Sequence, residues 1–143
     1  MNFLPNWIFY AIGSAFFASL TALFGKLGVT GLNSNLATFI RTIIILFVTA
    51  GIISLRSEWQ KPGSIAPGSW LYLILSGLAT GFSWLCYYRA LQLGPITKVA
   101  PIDKLSVAFT ILLGIVFVGE KLTWPIALGG SLIVAGSIVM IAF

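Results

Sequence analysis

The chain has 143 residues, of which 59% are hydrophobic and only 8% are charged, against about 25% charged in a soluble domain. That balance excludes an ordinary water-soluble fold and indicates a membrane protein. The net charge of +5 comes from eight Lys and Arg scattered around apolar runs, a pattern of anchoring and topology rather than of nucleic-acid binding.

A membrane-spanning helix needs roughly 20 mostly apolar residues. The first such run covers about residues 7–25, after Pro5 and Asn6 and before Lys26. The first 25 residues carry no charged side chain, so an uncleaved helix is expected rather than a signal peptide with its basic leader. Gly31, Asn33, Ser34 and Asn35 are turn and cap formers, and a second span follows over 36–55, interrupted only by Arg41. The longest connection, 56–69, is expected to turn at Pro62-Gly63 and again at Pro67-Gly68. A third span covers 70–88, with Trp70, Tyr87 and Tyr88 placed as interfacial anchors. Residues 92–98 link it to a fourth span over 99–118; Glu120 and Lys121 form a tight turn, and a fifth span covers 124–143. Membrane strands of about 10 alternating residues do not fit runs twice that long. The expected fold is all-α, one membrane domain over 1–143 with five transmembrane helices.

Five is an odd number of spans, so the two ends of the fold fall on opposite sides of the bilayer. The flanking cations divide evenly: Lys26, Arg89 and Lys98 on one side, Arg56, Lys61 and Lys121 on the other. Counting Arg41 and Lys104 inside spans tilts the score only slightly, toward an outside N-terminus. The charges suit either a fixed orientation set by a partner or insertion in both orientations.

Histidine is absent and Cys86 is the single cysteine, which removes disulfide frameworks, Cys/His zinc sites and Ser-His or Cys-His catalysis. No enzyme activity, metal or cofactor is expected. Small residues recur at helical spacing: Ser14, Ala18, Ala22 and Gly25 in the first span, Gly77 and Gly81 in the third, and Ala127, Ser131 and Ala135 in the fifth, with Gly129, Gly130 and Gly136 nearby. Such faces let helices approach closely in lipid.

Ionisable residues inside spans carry more information, because an unpaired charge at mid-bilayer costs at least about 2.5–3.5 kcal/mol. Arg41 lies about two turns into its helix and Asp103 and Lys104 about one turn into theirs. Arg41 can snorkel to the interface, and Asp103 suits a helix N-terminus, where Lys104 does not. Adjacent helical residues point about 100° apart, so Asp103 and Lys104 are expected to reach different neighbours, Asp103 toward Arg41 or Lys104 toward a substrate anion. Asp103, Ser106, Thr110 and Gly114 form a polar stripe that reads as a pathway wall, although serine and threonine also bond their own backbone. Pro101 is placed to widen the mouth of this helix. Trp84 and Tyr88, one turn apart, are candidates to line a cavity. The candidate substrate-binding set is Arg41, Trp84, Tyr88, Asp103, Lys104, Ser106 and Thr110. Lys26, Arg41, Arg89, Lys98 and Lys104 fall on one membrane side against Asp103 alone, a balance that favours anionic or zwitterionic solutes.

The second half resembles the EamA domain of the drug/metabolite transporter superfamily. The stretch runs Tyr87-Tyr88-Arg89-Ala90-Leu91, Gly94-Pro95, Val99-Ala100-Pro101 and Ile111-Leu112-Leu113-Gly114. It continues as Gly119-Glu120-Lys121-Leu122-Thr123 and then residues 127–136, and Arg41 resembles the family's arginine early in the second helix. Larger members join two inverted five-helix repeats, so this chain resembles one half of an inverted-repeat transporter, as in short EamA proteins. The resemblance implies a multi-pass protein of the bacterial inner (plasma) membrane that moves a small metabolite, with the lipid bilayer and a second, antiparallel copy as its partners. The alternative is a non-transporting accessory subunit or half of a heterodimer. The superfamily's short multidrug transporters carry a carboxylate in the first span; its absence here argues against proton-coupled export of hydrophobic cations.

Overall fold

The computed structural model describes residues 5–142. Every regular element among the described residues is helical: α1 (Asn6–Gly28), α2 (Ser34–Leu55), a 3₁₀ turn (Pro62–Ser64), α3 (Pro67–Leu93), α4 (Ile96–Asp103), α5 (Ser106–Leu113), a π-helical turn (Gly114–Val118) and α6 (Trp124–Ala142). Five stretches are long and apolar enough to cross a membrane: α1, α2, α3, the run Ile96–Val118 and α6. Large apolar side chains such as Phe47, Phe82, Phe117 and Leu132 are exposed on them, as lipid rather than water would require.

Local chemistry sets the ends. Gly31 takes φ +75° between α1 and α2, and Asn33 caps α2, its Oδ1 accepting from the N–H groups of Asn35 (2.9 Å) and Leu36 (3.3 Å). Ser57, at φ 55°, closes α2 while the Glu58 N–H donates to the Ile53 carbonyl (3.0 Å), a left-handed C-terminal stop. Pro62-Gly63 does form a turn, but Pro67-Gly68 opens α3 instead of turning. Proline has no N–H to lose and suits the first helical position, where Ala66 accepts from Ser69 (3.0 Å) and Trp70 (3.3 Å). α3 therefore has 27 residues and extends beyond the expected 70–88 at both ends. The link to the next helix shrinks to Gly94 and Pro95, because Pro95 starts α4 directly and its carbonyl accepts from Lys98 and Val99 at 3.0 Å.

The expected continuous fourth helix is broken at Lys104–Leu105. Pro101 cannot donate to a preceding carbonyl. The bonds that follow it shift to three-residue spacing: Lys104 to Pro101 (3.1 Å), and Leu105 to Ile102, Val107 to Lys104 and Ala108 to Leu105 (3.0 Å each). The far end widens into the π turn and stops at Gly119, φ +77°.

The chain forms two compact units: the first part of α1, to Leu23, with the chain from Leu93 onward, and the segment Phe24–Gln92. In the former, α6 packs on α4 and α5, with Ala22, Val99 and Ser137 buried. A Cβ at Gly130 would lie 2.7 Å from Ile111 Cδ1, so the end of the Ile111 side chain on α5 packs directly over this glycine of α6. Gly129 and Gly136 have nothing within 4 Å of such an atom. The packing glycine of α6 is thus Gly130, and Gly136 faces an open apolar groove of about 440 Å³ between α4 and α6.

In the unit Phe24–Gln92, Val29, Ser34, Ala37, Thr38, Tyr88 and Leu91 are buried. Lys26 Nζ donates to the Leu91 carbonyl (2.6 Å) and Gln92 Nε2 to the Leu32 carbonyl (2.8 Å). A cation on the last turn of α3 also suits the helix dipole there. Gly77 and Gly81 have nothing near them, so this GxxxG pair does not mark a contact within the fold.

Candidate substrate site

The unit Phe24–Gln92 brings together three of the candidate residues. Arg41 projects from α2, about 10 Å along the helix from Ser34 by the 1.5 Å rise per residue. Trp84 and Tyr88 share one face of α3 at a spacing of one turn. The Arg41 guanidinium carbon lies 3.4 Å from the centre of the Trp84 ring and 5.4 Å from that of Tyr88. A cation on an indole face is stabilised by about 0.5–1 kcal/mol when exposed and about 2 kcal/mol or more when desolvated. Arg41 is half-buried, and its Nη1 is sealed from solvent with no hydrogen-bond partner among the described residues. The arginine is therefore held against an aromatic shelf formed by Trp84 and Tyr88.

Tyr88 is not an interfacial anchor, since it is 5% exposed. A Cβ at Gly25 would lie 3.2 Å from the Tyr88 hydroxyl oxygen, 3.3 Å from its Cζ and 3.3 Å from Leu91 Cδ1. Any larger residue would force the ring or Leu91 to give by a few tenths of an ångström. Gly25 thus sets the position of Tyr88, a role visible in the sequence only as one member of the small-residue stripe. The threonines around Arg41 are occupied with their own helix: Thr38 Oγ1 donates to the Ser34 carbonyl (3.0 Å) and Thr42 Oγ1 to the Thr38 carbonyl (2.8 Å). Glu58, the one acidic residue of this unit, lies 3.8 Å from Arg56 in an exposed pair. Arg41 has no carboxylate partner in its own unit.

The other four candidates lie in the other unit. Asp103 and Lys104 do not reach different neighbours as expected; they pair with each other, Nζ to Oδ2 at 3.3 Å. The helix break explains this, because the 100° rule holds only while the helix continues, and Lys104 already sits in the turn after α4. Both side chains are partly exposed, so the pair contributes little. Ser106 opens α5, and its carbonyl accepts from Thr110 Oγ1 at 2.9 Å. The Thr110 hydroxyl is thus satisfied by its own backbone, and the stripe is interrupted at the break. Gly114 serves another purpose: the Glu120 carboxylate folds back over it, Oε2 lying 3.1 Å from where a Cβ would be.

Residues 5–142 match the EamA-like transporter family. The chain belongs to this family. It is 50% identical over 138 residues to an "Uncharacterized transporter in cobO 3'region" of Sinorhizobium sp, an alignment that covers 96% of this chain and 98% of that protein. No solved structure matches it. As an EamA member with five spanning stretches, it is a multi-pass integral membrane protein.

Proposed function

We propose that this EamA protein is a secondary transporter of the bacterial inner membrane. It moves a small polar metabolite by alternating access and works as an antiparallel homodimer. The observation that carries the reading is the Arg41 guanidinium stacked on Trp84 beside Tyr88, with a donor left without an acceptor. Ionisable groups kept inside membrane spans mark substrate or ion paths. A purely structural arginine would be expected to face a carboxylate or carbonyl. Family membership and the relative named as a transporter support the same role.

Transporter sites are commonly built between inverted repeats. A five-span chain supplies one repeat, and a second copy inserted the other way supplies the other. The even division of flanking cations removes the usual bias against such a pair.

The test is solute flux in proteoliposomes for the wild type and Arg41→Gln, together with orientation. Flux that needs Arg41 is the expected result, and wild-type vesicles that move nothing would overturn the reading. For orientation, two lysines added to the connection between α2 and α3 should lock one topology and stop flux. Two more in the turn before α2 of a coexpressed copy should restore it. Full flux from either locked variant alone would rule out an obligate antiparallel pair.

A further inference from the structure

We propose that Arg41 binds the carboxylate group of a simple organic acid, with Trp84 holding the guanidinium from one face. This rests on the reading that the Arg41–Trp84–Tyr88 cluster is the substrate site.

The geometry divides the guanidinium into two surfaces. Its face is taken by the Trp84 ring at 3.4 Å. Its N–H donors all lie in the plane of the group, so stacking leaves them unused. Nη1 is sealed from solvent and meets no acceptor among the described residues. The Thr38 and Thr42 hydroxyls donate to the Ser34 and Thr38 carbonyls, and neither oxygen accepts from Nη1. The unit's one carboxylate, Glu58, is with Arg56. What remains is a planar, singly charged fork that asks for an acceptor with matching geometry.

A carboxylate matches it in shape and charge, because two parallel N–H···O bonds join the groups edge to edge. One positive charge balances one negative charge in a low-dielectric setting, whereas a phosphate dianion would leave an excess. Zwitterions fit less well. Their ammonium group would find no free acid in this unit, and the indole face that attracts cations is already occupied by Arg41. The anionic or zwitterionic preference expected from charge alone narrows to acids without an amino group.

The experiment uses the full chain purified in detergent. Thermal unfolding is followed with acetate, lactate, propionate and benzoate, each beside its uncharged amide. Alanine, tetramethylammonium and inorganic phosphate complete the set at constant ionic strength. A ligand of the folded state raises the melting temperature. At least one acid is expected to do so while its amide does not. Arg41→Gln should abolish the shift, and Arg41→Lys, which keeps the charge but not the fork, should reduce it. If Arg41→Gln does not fold, the acid should still change tryptophan emission in the wild type and not in Trp84→Phe. The assignment is overturned if no acid shifts melting, if the amide, alanine, ammonium or phosphate probe equals or exceeds every acid, or if the acid shift survives Arg41→Gln. Flux assays separate the two claims. Acid binding without flux removes transport and keeps the carboxylate site, whereas Arg41-dependent flux confined to neutral or cationic solutes does the reverse.

Discussion

Gly25 and Gly13 lie on the same helix, α1, yet replacing each with alanine should have opposite effects. Both gain the same intrinsic term, since alanine exceeds glycine in a helix interior by about 1 kcal/mol. At Gly13 the new Cβ meets nothing within 4 Å, so that gain stands alone. At Gly25 it meets the Tyr88 hydroxyl at 3.2 Å and both Tyr88 Cζ and Leu91 Cδ1 at 3.3 Å. Tyr88 and Leu91 are 5% and 0% exposed, so neither has open space to retreat into. Overpacking of this kind costs about 1–3 kcal/mol. The difference between the two variants isolates that cost, because the helical term cancels. Denaturant unfolding in detergent measures it: Gly13→Ala neutral or stabilised, Gly25→Ala less stable than Gly13→Ala by about 1–3 kcal/mol. Adding Tyr88→Phe should return part of the loss, as it removes the nearest atom but leaves Cζ and Leu91 in place. Two results would refute the reasoning: equal stability of the two alanine variants, or additive behaviour of Gly25→Ala with Tyr88→Phe.

Three further outcomes are expected. Lys104→Gln should change unfolding stability by no more than about 1 kcal/mol, because its pair with Asp103 is partly exposed; a larger loss would make the pair a structural element. Gly130→Leu should destabilise by at least about 1–3 kcal/mol, since even a Cβ meets Ile111 Cδ1 at 2.7 Å, while Gly136→Leu should be tolerated in the folded monomer. The reverse order in melting temperature would overturn the assignment of Gly130 as the packing glycine. Asn33→Ala should cost about 0.5–2 kcal/mol by unfolding, through loss of the cap on Asn35 and Leu36; an unchanged stability would show that the cap contributes nothing.

The spans were legible because apolar length is a composition signal, and each expected run contains the middle of an observed one. The ends were less so. Pro67-Gly68 reads as a turn and as a helix start with equal ease, and only the Ala66 carbonyl accepting from Ser69 and Trp70 decides between them. The break at Lys104 was hidden because Pro101 is tolerated within a first turn, and the shift to three-residue bonds appears only in the backbone. Arg41, Trp84 and Tyr88 were each visible as unusual side chains in apolar helices. Their meeting was not, since residues on α2 and α3 carry no mark of which faces will touch. Gly25 shows the same limit: the stripe told that something packs there, and the structure names Tyr88 and Leu91.

The division of labour within the Arg41 unit supports a binding role over a structural one. Its stability is concentrated at one end, where Lys26 holds the Leu91 carbonyl, Gln92 holds the Leu32 carbonyl, and Asn33 caps α2. Tyr88 is wedged into that end by Gly25, so the aromatic shelf is fixed before anything binds. A buried donor left unmade costs about 1–3 kcal/mol, and more when it belongs to a charged group. A structural arginine would offset that cost by bonding a nearby hydroxyl or carbonyl. Here no hydroxyl or carbonyl among the described residues accepts from its Nη1. The rigid end supplies the stability, and the free edge of Arg41 is kept for an acceptor from outside the chain. The cation is placed in advance, and because Nη1 is sealed from solvent, the side chains packed over it must part to admit its partner.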